Sequence, residues 1–243
     1  MQLSDKNVIS DMRTAYGKAL IELGSKDPNI VCVGADTTDS LKTKLFGDKF
    51  PNRLYNVGIA EANLVSIAVK NLIPILTYTP GPFFMRLARP SNSNIYEDNF
   101  DQFDIGKSNV IQDGSDITVI ACGLMVSKAI DAAQTLEKEY DVSCRVIDMY
   151  SIKPIDVELV YHAAIDTGAI VTIEEHSIIG GLGSAVCEVT AENHPVPVNR
   201  MGVTDIFGES ARETEIDLLL SKYGLSSDHI IESVIKTRKR IKK

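Results

Sequence analysis

Gly114-Ser115-Asp116-Ile117-Thr118-Val119-Ile120-Ala121-Cys122-Gly123-Leu124-Met125 is the stretch from which the fold is read. A turn leads into an apolar strand expected over residues 117–122, a glycine follows, and a helix is expected over 125–140. Downstream the alternation repeats. Strands are expected over 144–149, 169–173 and 196–203, with helices over 156–164, after Pro154, and over 182–191, behind Gly180-Gly181. A last helix over 228–240 is capped near Ser227 and striped by Ile230, Ile231, Val234 and Ile235. Such alternation implies right-handed βαβ units and a parallel sheet covered on both faces. The block is a complete α/β domain of about 140 residues, a usual domain size.

Upstream the pattern is thinner. Met12, Ala15, Tyr16, Ala19, Leu20 and Leu23 stripe a helix over 11–23, with Ser10 as N-cap and Gly24 as stop. A strand is expected over 30–33, a helix over 61–70 and a strand over 73–78. Thr79-Pro80-Gly81-Pro82 then breaks the chain, and residues 83–87 form one more strand. Residues 91–101 are polar and read as a linker, so the expected domains are 1–103 and 104–243. The first block has too few helices to cover a parallel sheet. It is expected to expose an apolar edge or face that a partner covers.

Bulk properties narrow the functional classes. The chain has 243 residues, 44% hydrophobic and 24% charged, as in ordinary globular proteins. No apolar run reaches the roughly 18 residues of a membrane span, and residues 1–11 carry no apolar signal core, so a cytoplasmic protein is expected. The net charge of −8 argues against nucleic acid as a partner. The basic run from Lys236 to Lys243 reads as a solvated last turn that complements a helix dipole. Cys32, Cys122, Cys144 and Cys187 lack the paired spacing of a zinc site and read as buried thiols. Gly180-Gly181-Leu182-Gly183 has neither of the phosphate-loop spacings and reads as tight backbone packing. Glu174, Glu175 and His176 form a polar cluster at a strand end, with His176 structural.

The candidate for chemistry is Glu61. It follows Arg53-Leu54-Tyr55-Asn56-Val57-Gly58-Ile59-Ala60, a strand, a glycine and then an acidic residue opening a helix. An acidic residue in a first helical turn commonly serves only the helix dipole. At the carboxyl end of a parallel strand it can instead face a ligand.

Asn56-Val57-Gly58-Ile59-Ala60-Glu61, with Ala62-Asn63-Leu64-Val65 behind it, resembles the signature of the pyrimidine-binding domain of transketolases. Synthases of 1-deoxyxylulose 5-phosphate share it, and 2-oxoacid dehydrogenase β subunits do so more loosely. The resemblance implies that Glu61 contacts N1′ of the thiamine aminopyrimidine and holds a proton there, which needs a dry site and a raised pKa. Met85-Arg86-Leu87-Ala88-Arg89-Pro90 is similar to the segment closing that domain, and the resemblance implies that Arg89 binds the sugar phosphate, with a plain surface charge as its alternative. From Asp104 onward the chain resembles a transketolase C-terminal domain. The markers are Gly114–Ala121, Ile152-Lys153-Pro154-Ile155-Asp156, Glu174–Ala185 and Asp205-Ile206-Phe207-Gly208-Glu209-Ser210.

Half-size members of that family carry more between the positions of Tyr78 and Phe83. They have an aromatic-rich helix, a His-bearing segment and a Gly-Glu-Asp-Gly-like loop, which include the ring that stacks on the aminopyrimidine. Here Phe83 and Phe84 are the candidates for stacking, with core filling as their alternative. The Gly-Asp-Gly…Asn motif for magnesium and diphosphate is absent. Thiamine diphosphate and Mg²⁺ are therefore expected to be held by a separate N-terminal subunit, in a homodimer or heterotetramer acting on sugar phosphates. The implied fold is a truncated parallel-sheet pyrimidine-binding domain followed by a complete α/β domain. The implied activity is transfer of a two-carbon ketol unit. The alternatives are an inactive dimerisation or scaffolding module and a subunit related to the deoxyxylulose-phosphate synthase.

Overall fold

The computed structural model describes residues 9–10, 12–34, 42–56, 66–81, 83–86, 92–93, 95–96, 100–206, 209 and 213–241. The chain divides into two compact units, Gln2–Asp104 and Ile105–Lys243.

The second unit is organised around β6 (Ile117–Ala121), in which every residue is buried. Its neighbours are β7 (Cys144–Asp148) and β8 (Ile170–Ser177), both parallel to it, with β9 (Val198–Val203) parallel to β8. The outer strand β5 (Asn109–Gln112) pairs antiparallel with β7, giving the order β5-β7-β6-β8-β9. The wholly parallel sheet expected from sequence is thus corrected at one edge. Only residues 113–116 join β5 to β6, too few for the crossover that a parallel strand requires.

Helices α4 (Met125–Tyr140) and α8 (Ser227–Arg238) pack together, as do α5 (Val157–Thr167) and α6 (Leu182–Asn193). Against α5 and α6 the sheet buries Ile120, Ile147 and Ile170 with Val160, Ala163, Leu182 and Val186. Each such Val, Leu or Ile contributes about 1.5–3 kcal/mol of transfer free energy. Helix α4 buries Met125, Val126, Ala129, Ile130, Ala132, Ala133 and Leu136, one face at helical spacing. It stops where Asp141 turns left-handed at φ 53° and returns its N–H to the Leu136 carbonyl. Asp156 caps α5 by accepting from the Leu159 N–H, and Gly168 ends it at φ 68°. A short helix, α7 (Ile216–Lys222), precedes α8.

The described elements of the first unit are fewer and shorter. Helix α1 (Met12–Lys26), a short helix α2 (Lys44–Lys49) and a 3₁₀ turn (Pro51–Arg53) surround two short parallel strands, β2 (Cys32–Gly34) and β3 (Leu54–Asn56). Separately, β1 (Ile9–Ser10) and β4 (Asn92–Ser93) form an antiparallel pair. Its described cores are small: Ala19, Leu23 and Ile73 in one, Leu20, Cys32 and Phe46 in the other.

Four expectations are corrected here. Ser10 belongs to β1, and α1 runs through Gly24 to Lys26. Gly24 is required by packing, because a side chain there would meet the Phe46 and Phe50 rings. Residues 73–78 are not a strand but the second half of α3 (Ser66–Tyr78), which continues through Pro74. The apolar Ile-Pro-Ile-Leu run mimics an edge strand, yet Leu72 and Ile73 are buried and Ile73 packs on Ala19 and Leu23 of α1. Tertiary burial overrides the cost of the proline, about 3 kcal/mol in a helix interior. Residues 83–86 have no regular structure. Within the polar run 91–101, expected to be a linker, the described residues include a packed aromatic group. Tyr96 is buried with its ring stacked 4.7 Å from Phe100 and edge-on, 5.0 Å, to Phe103.

Candidate functional site

The motif that bears Glu61 begins with β3 of the first unit. Register with β2 sets Leu54 beside Cys32 and Asn56 beside Gly34, so both parallel strands end together. That shared end is the edge at which open α/β sheets place ligands. Glu61 itself lies outside the described residues, and so does Arg89.

What fixes β3 is Arg53, whose role composition did not reveal. Its guanidinium donates to the Gly24 carbonyl at 2.8 Å, to Asp27 at 3.1 Å and to Ile30 at 3.3 Å. It also lies over the Phe50 ring, 3.8 Å from the centroid. One side chain therefore satisfies carbonyls near the end of α1, anchors the approach to β2 and starts the strand that leads to the motif. Gly47 makes room for that strand, since a Cβ there would land on Leu54.

Among the described residues near these strands, no nucleophile is activated. Burial pushes Tyr16 up to about 12, helped by Cys32, and burial pushes the Cys32 thiol up to about 11. Both stay protonated at neutral pH. Phe83 is 41% exposed and Phe84 89% exposed. Neither ring fills a core among the described residues. Arg86, in the segment that closes the domain, is half-buried.

In the second unit the polar cluster at the end of β8 resolves into a clamp. Glu174 is buried, and its carboxylate accepts from the Leu182 N–H at 2.8 Å and the Gly183 N–H at 2.9 Å. These are amides of the first turn of α6, so the protein's own carboxylate fills the place where an anion would bind. Gly181 has to be glycine, because a Cβ would collide with that carboxylate. The glycine run is thus tight packing around Glu174. The next loop is tied down as well: Arg200 Nη1 donates to the Ile178 carbonyl at 2.8 Å, and the Gly180 N–H donates to Ser184 Oγ at 3.0 Å. His176 is exposed, its Nδ1 3.2 Å from the Ser177 carbonyl. Cys144 is buried as expected and its thiol is pushed up to about 12 by burial, whereas Cys122 and Cys187 are only half-buried.

A cavity of about 650 Å³ lies at the opposite, amino end of this sheet, lined by Asp116, Tyr140, Thr167, Arg238 and Ile241 among others. Its charge is settled internally, with Arg238 3.2 Å from Asp116. Among the described residues no group of His, Cys, Asp and Glu could hold a metal ion, and no helix is long and apolar enough to cross a membrane.

Comparison with known proteins joins these parts. The family pattern "Transketolase, C-terminal domain" matches residues 106–230, and "Transketolase, pyrimidine binding domain" matches 10–96. A putative transketolase C-terminal section from Methanocaldococcus jannaschii is 29% identical, covering 96% of this chain and 98% of the relative. That alignment runs over 316 positions against a chain of 243, so dozens of the relative's positions have no counterpart here. One of the subunits of the apulose-4-phosphate transketolase of Phocaeicola vulgatus is 38% identical, over 70% of this chain and 53% of the relative. Among solved structures, a split-gene transketolase described as an inactive β4 tetramer superimposes with TM-score 0.84 at 32% identity. It covers 97% of this chain and 100% of that one.

Proposed function

The chain belongs to the transketolase family, and from that premise we propose that it is the C-terminal subunit of a split transketolase, transferring a two-carbon ketol unit between sugar phosphates together with a separate N-terminal subunit. The observation that carries this reading is the whole-length likeness to a solved split-gene transketolase, beside family matches over residues 10–96 and 106–230. The domains are assigned as 1–103, the shortened pyrimidine-binding domain, and 104–243, the C-terminal domain.

Transketolases use thiamine diphosphate and a divalent metal. The cofactor, when bound, supplies carbanion stabilisation. In this reading the N-terminal subunit holds the Mg²⁺ and diphosphate. This chain orients the pyrimidine: Glu61 holds a proton at N1′, Phe83 or Phe84 covers the ring, and Arg89 takes a substrate phosphate. The site works in the cytoplasm on soluble substrates. The inactivity of the relative's β4 tetramer fits a subunit whose site is half of a whole. Like that relative, this chain assembles in four copies when alone. The deoxyxylulose-phosphate synthase reading drops away, because relatives matched along nearly their whole length carry transketolase names.

One observation favours the scaffolding reading, namely the relative's positions that find no counterpart in this chain. The two readings part on a single experiment. The chain is mixed with a separately encoded N-terminal half, thiamine diphosphate and Mg²⁺, and ketol transfer is followed with and without Glu61→Gln. Activity in the mixture, reduced at least 100-fold by the substitution, is expected. A folded, associated mixture with no ketol transfer overturns the enzymatic reading.

A further inference from the structure

The cavity at the amino end of the second unit's sheet has charges that are answered and apolar walls that are not covered. Three helices end at it: α4 at Tyr140, α5 at Thr167 and α8 at Arg238. Each helix end carries about half a negative charge. With the Asp116 carboxylate, these ends nearly cancel the two cations of the lining, Arg238 and Lys239. The acid is also paired directly. Asp116 accepts from the Ser143 N–H at 3.0 Å and meets Arg238 at 3.2 Å. The Thr167 hydroxyl donates to the Ala163 carbonyl at 2.8 Å and lies 2.9 Å from that of Thr118. An ion entering the cavity gains no net counter-charge to offset its lost hydration.

The apolar lining is in the opposite state. Val142 is buried, Ile235 and Ile241 are half-buried, and Tyr140 is 50% exposed. The volume of about 650 Å³ falls within the roughly 300–1,000 Å³ of small-molecule sites, which combine apolar walls with a few polar groups. Two lining hydroxyls, those of Tyr140 and Ser115, have no hydrogen-bond partner among the described residues.

We infer that this cavity is a binding site for a small, uncharged, planar molecule that carries a hydroxyl or carbonyl group. The apolar body of such a ligand covers the Tyr140 ring, Ile235 and Ile241. Its polar atom meets the hydroxyls of Tyr140 and Ser115, so it is not left unpaired. None of the lining residues takes part in the proposed ketol transfer. Occupancy is therefore read on the full chain alone, without a partner subunit or thiamine diphosphate.

The test is calorimetric titration of the full chain with three bicyclic probes of similar size: 2-naphthol, 2-naphthoate and 2-naphthylmethylammonium. Saturable binding of one 2-naphthol per chain is expected, at least tenfold tighter than either ion. Tyr140→Ala removes an exposed ring and one of the hydroxyls, and is expected to weaken 2-naphthol binding at least tenfold with unchanged circular dichroism. Ser115→Trp fills the cavity from an exposed turn position and is expected to have an effect at least as large. No saturable binding of 2-naphthol overturns the site. Binding of either ion as tight as that of 2-naphthol overturns the uncharged class, and unchanged affinity in both variants overturns the location.

Discussion

The two units of this chain solve the same packing problem with unequal means. In Ile105–Lys243, five strands carry helices on both faces, and β6 has no exposed residue. In Gln2–Asp104, the described strands form two-stranded pairs, and the described core clusters hold three residues each. Val31, Tyr78, Phe83 and Phe84 remain exposed there. A parallel sheet is stable when both faces are covered. The second unit covers its own, whereas the described residues of the first show only short strand pairs. The contrast bears on the proposed function, which puts Glu61 in the first unit.

The largest test of this contrast strikes the frame. Glu174→Ala leaves two amides of α6 without their buried carboxylate. At about 1.5–3 kcal/mol for a hydrogen bond to a charged group, the loss is expected to be about 3 kcal/mol or more. Urea denaturation followed in the 105–243 unit measures it, and a loss below about 1 kcal/mol removes the clamp from the account. The matching test on the other side is Arg53→Met, which removes three hydrogen bonds and the stacking on Phe50. About 2 kcal/mol is expected, confined to the unfolding of the first unit. If the same substitution shifts the second unit equally, the two do not unfold separately.

Thiol chemistry sharpens the contrast further. Cys32 holds its proton to about pH 11 and Cys144 to about pH 12, against an ordinary thiol value of 9.0. Above pH 9 the unfolded chain gives up these protons and the folded chain keeps them. The folded state then binds more protons, so stability falls as pH rises, by up to about 1.4 kcal/mol per pH unit for each thiol. Alkylation in the native state at pH 8 is expected to reach Cys32 before Cys144, because labelling passes through local opening and the first unit has the thinner cover. Equal rates contradict that order. The smallest effect belongs to a surface pair: Lys44→Ala breaks the exposed contact with Asp48 and is expected to change stability by less than about 0.5 kcal/mol.

The units also differed in how openly their sequences declared them. In the second, strand and helix runs are long, apolar and punctuated, and α4 spans the residues that its periodicity marks, 125–140. Strand β5 escaped because Asn109-Val-Ile-Gln buries only Ile111, so an edge strand left no apolar run to detect. In the first unit, Gly24 looked like a stop and residues 73–78 like a strand, yet Gly24 and Pro74 sit inside helices, since contacts from distant residues decide both. Glu61 and Arg89 were legible only as a motif likeness and lie outside the described residues. Arg53 and Glu174 were in plain view, as the first residue of one motif and part of a polar cluster. Their partners are carbonyls and amides, which no side-chain pattern announces. A carboxylate closing the apolar run Ile170–Ile173, eight residues ahead of the Leu182 N–H it accepts from, was the one signal available for the clamp.

The unequal completeness of the two units is most directly tested by hydrogen–deuterium exchange of the full chain, alone and with an N-terminal transketolase half, thiamine diphosphate and Mg²⁺. Amides of β6, β7 and β8 are expected to be strongly protected in both samples. Amides of α1, β3 and α3 are expected to slow at least tenfold only in the mixture. Equal protection of both units in the chain alone, unchanged on mixing, would contradict a first unit that depends on its partner.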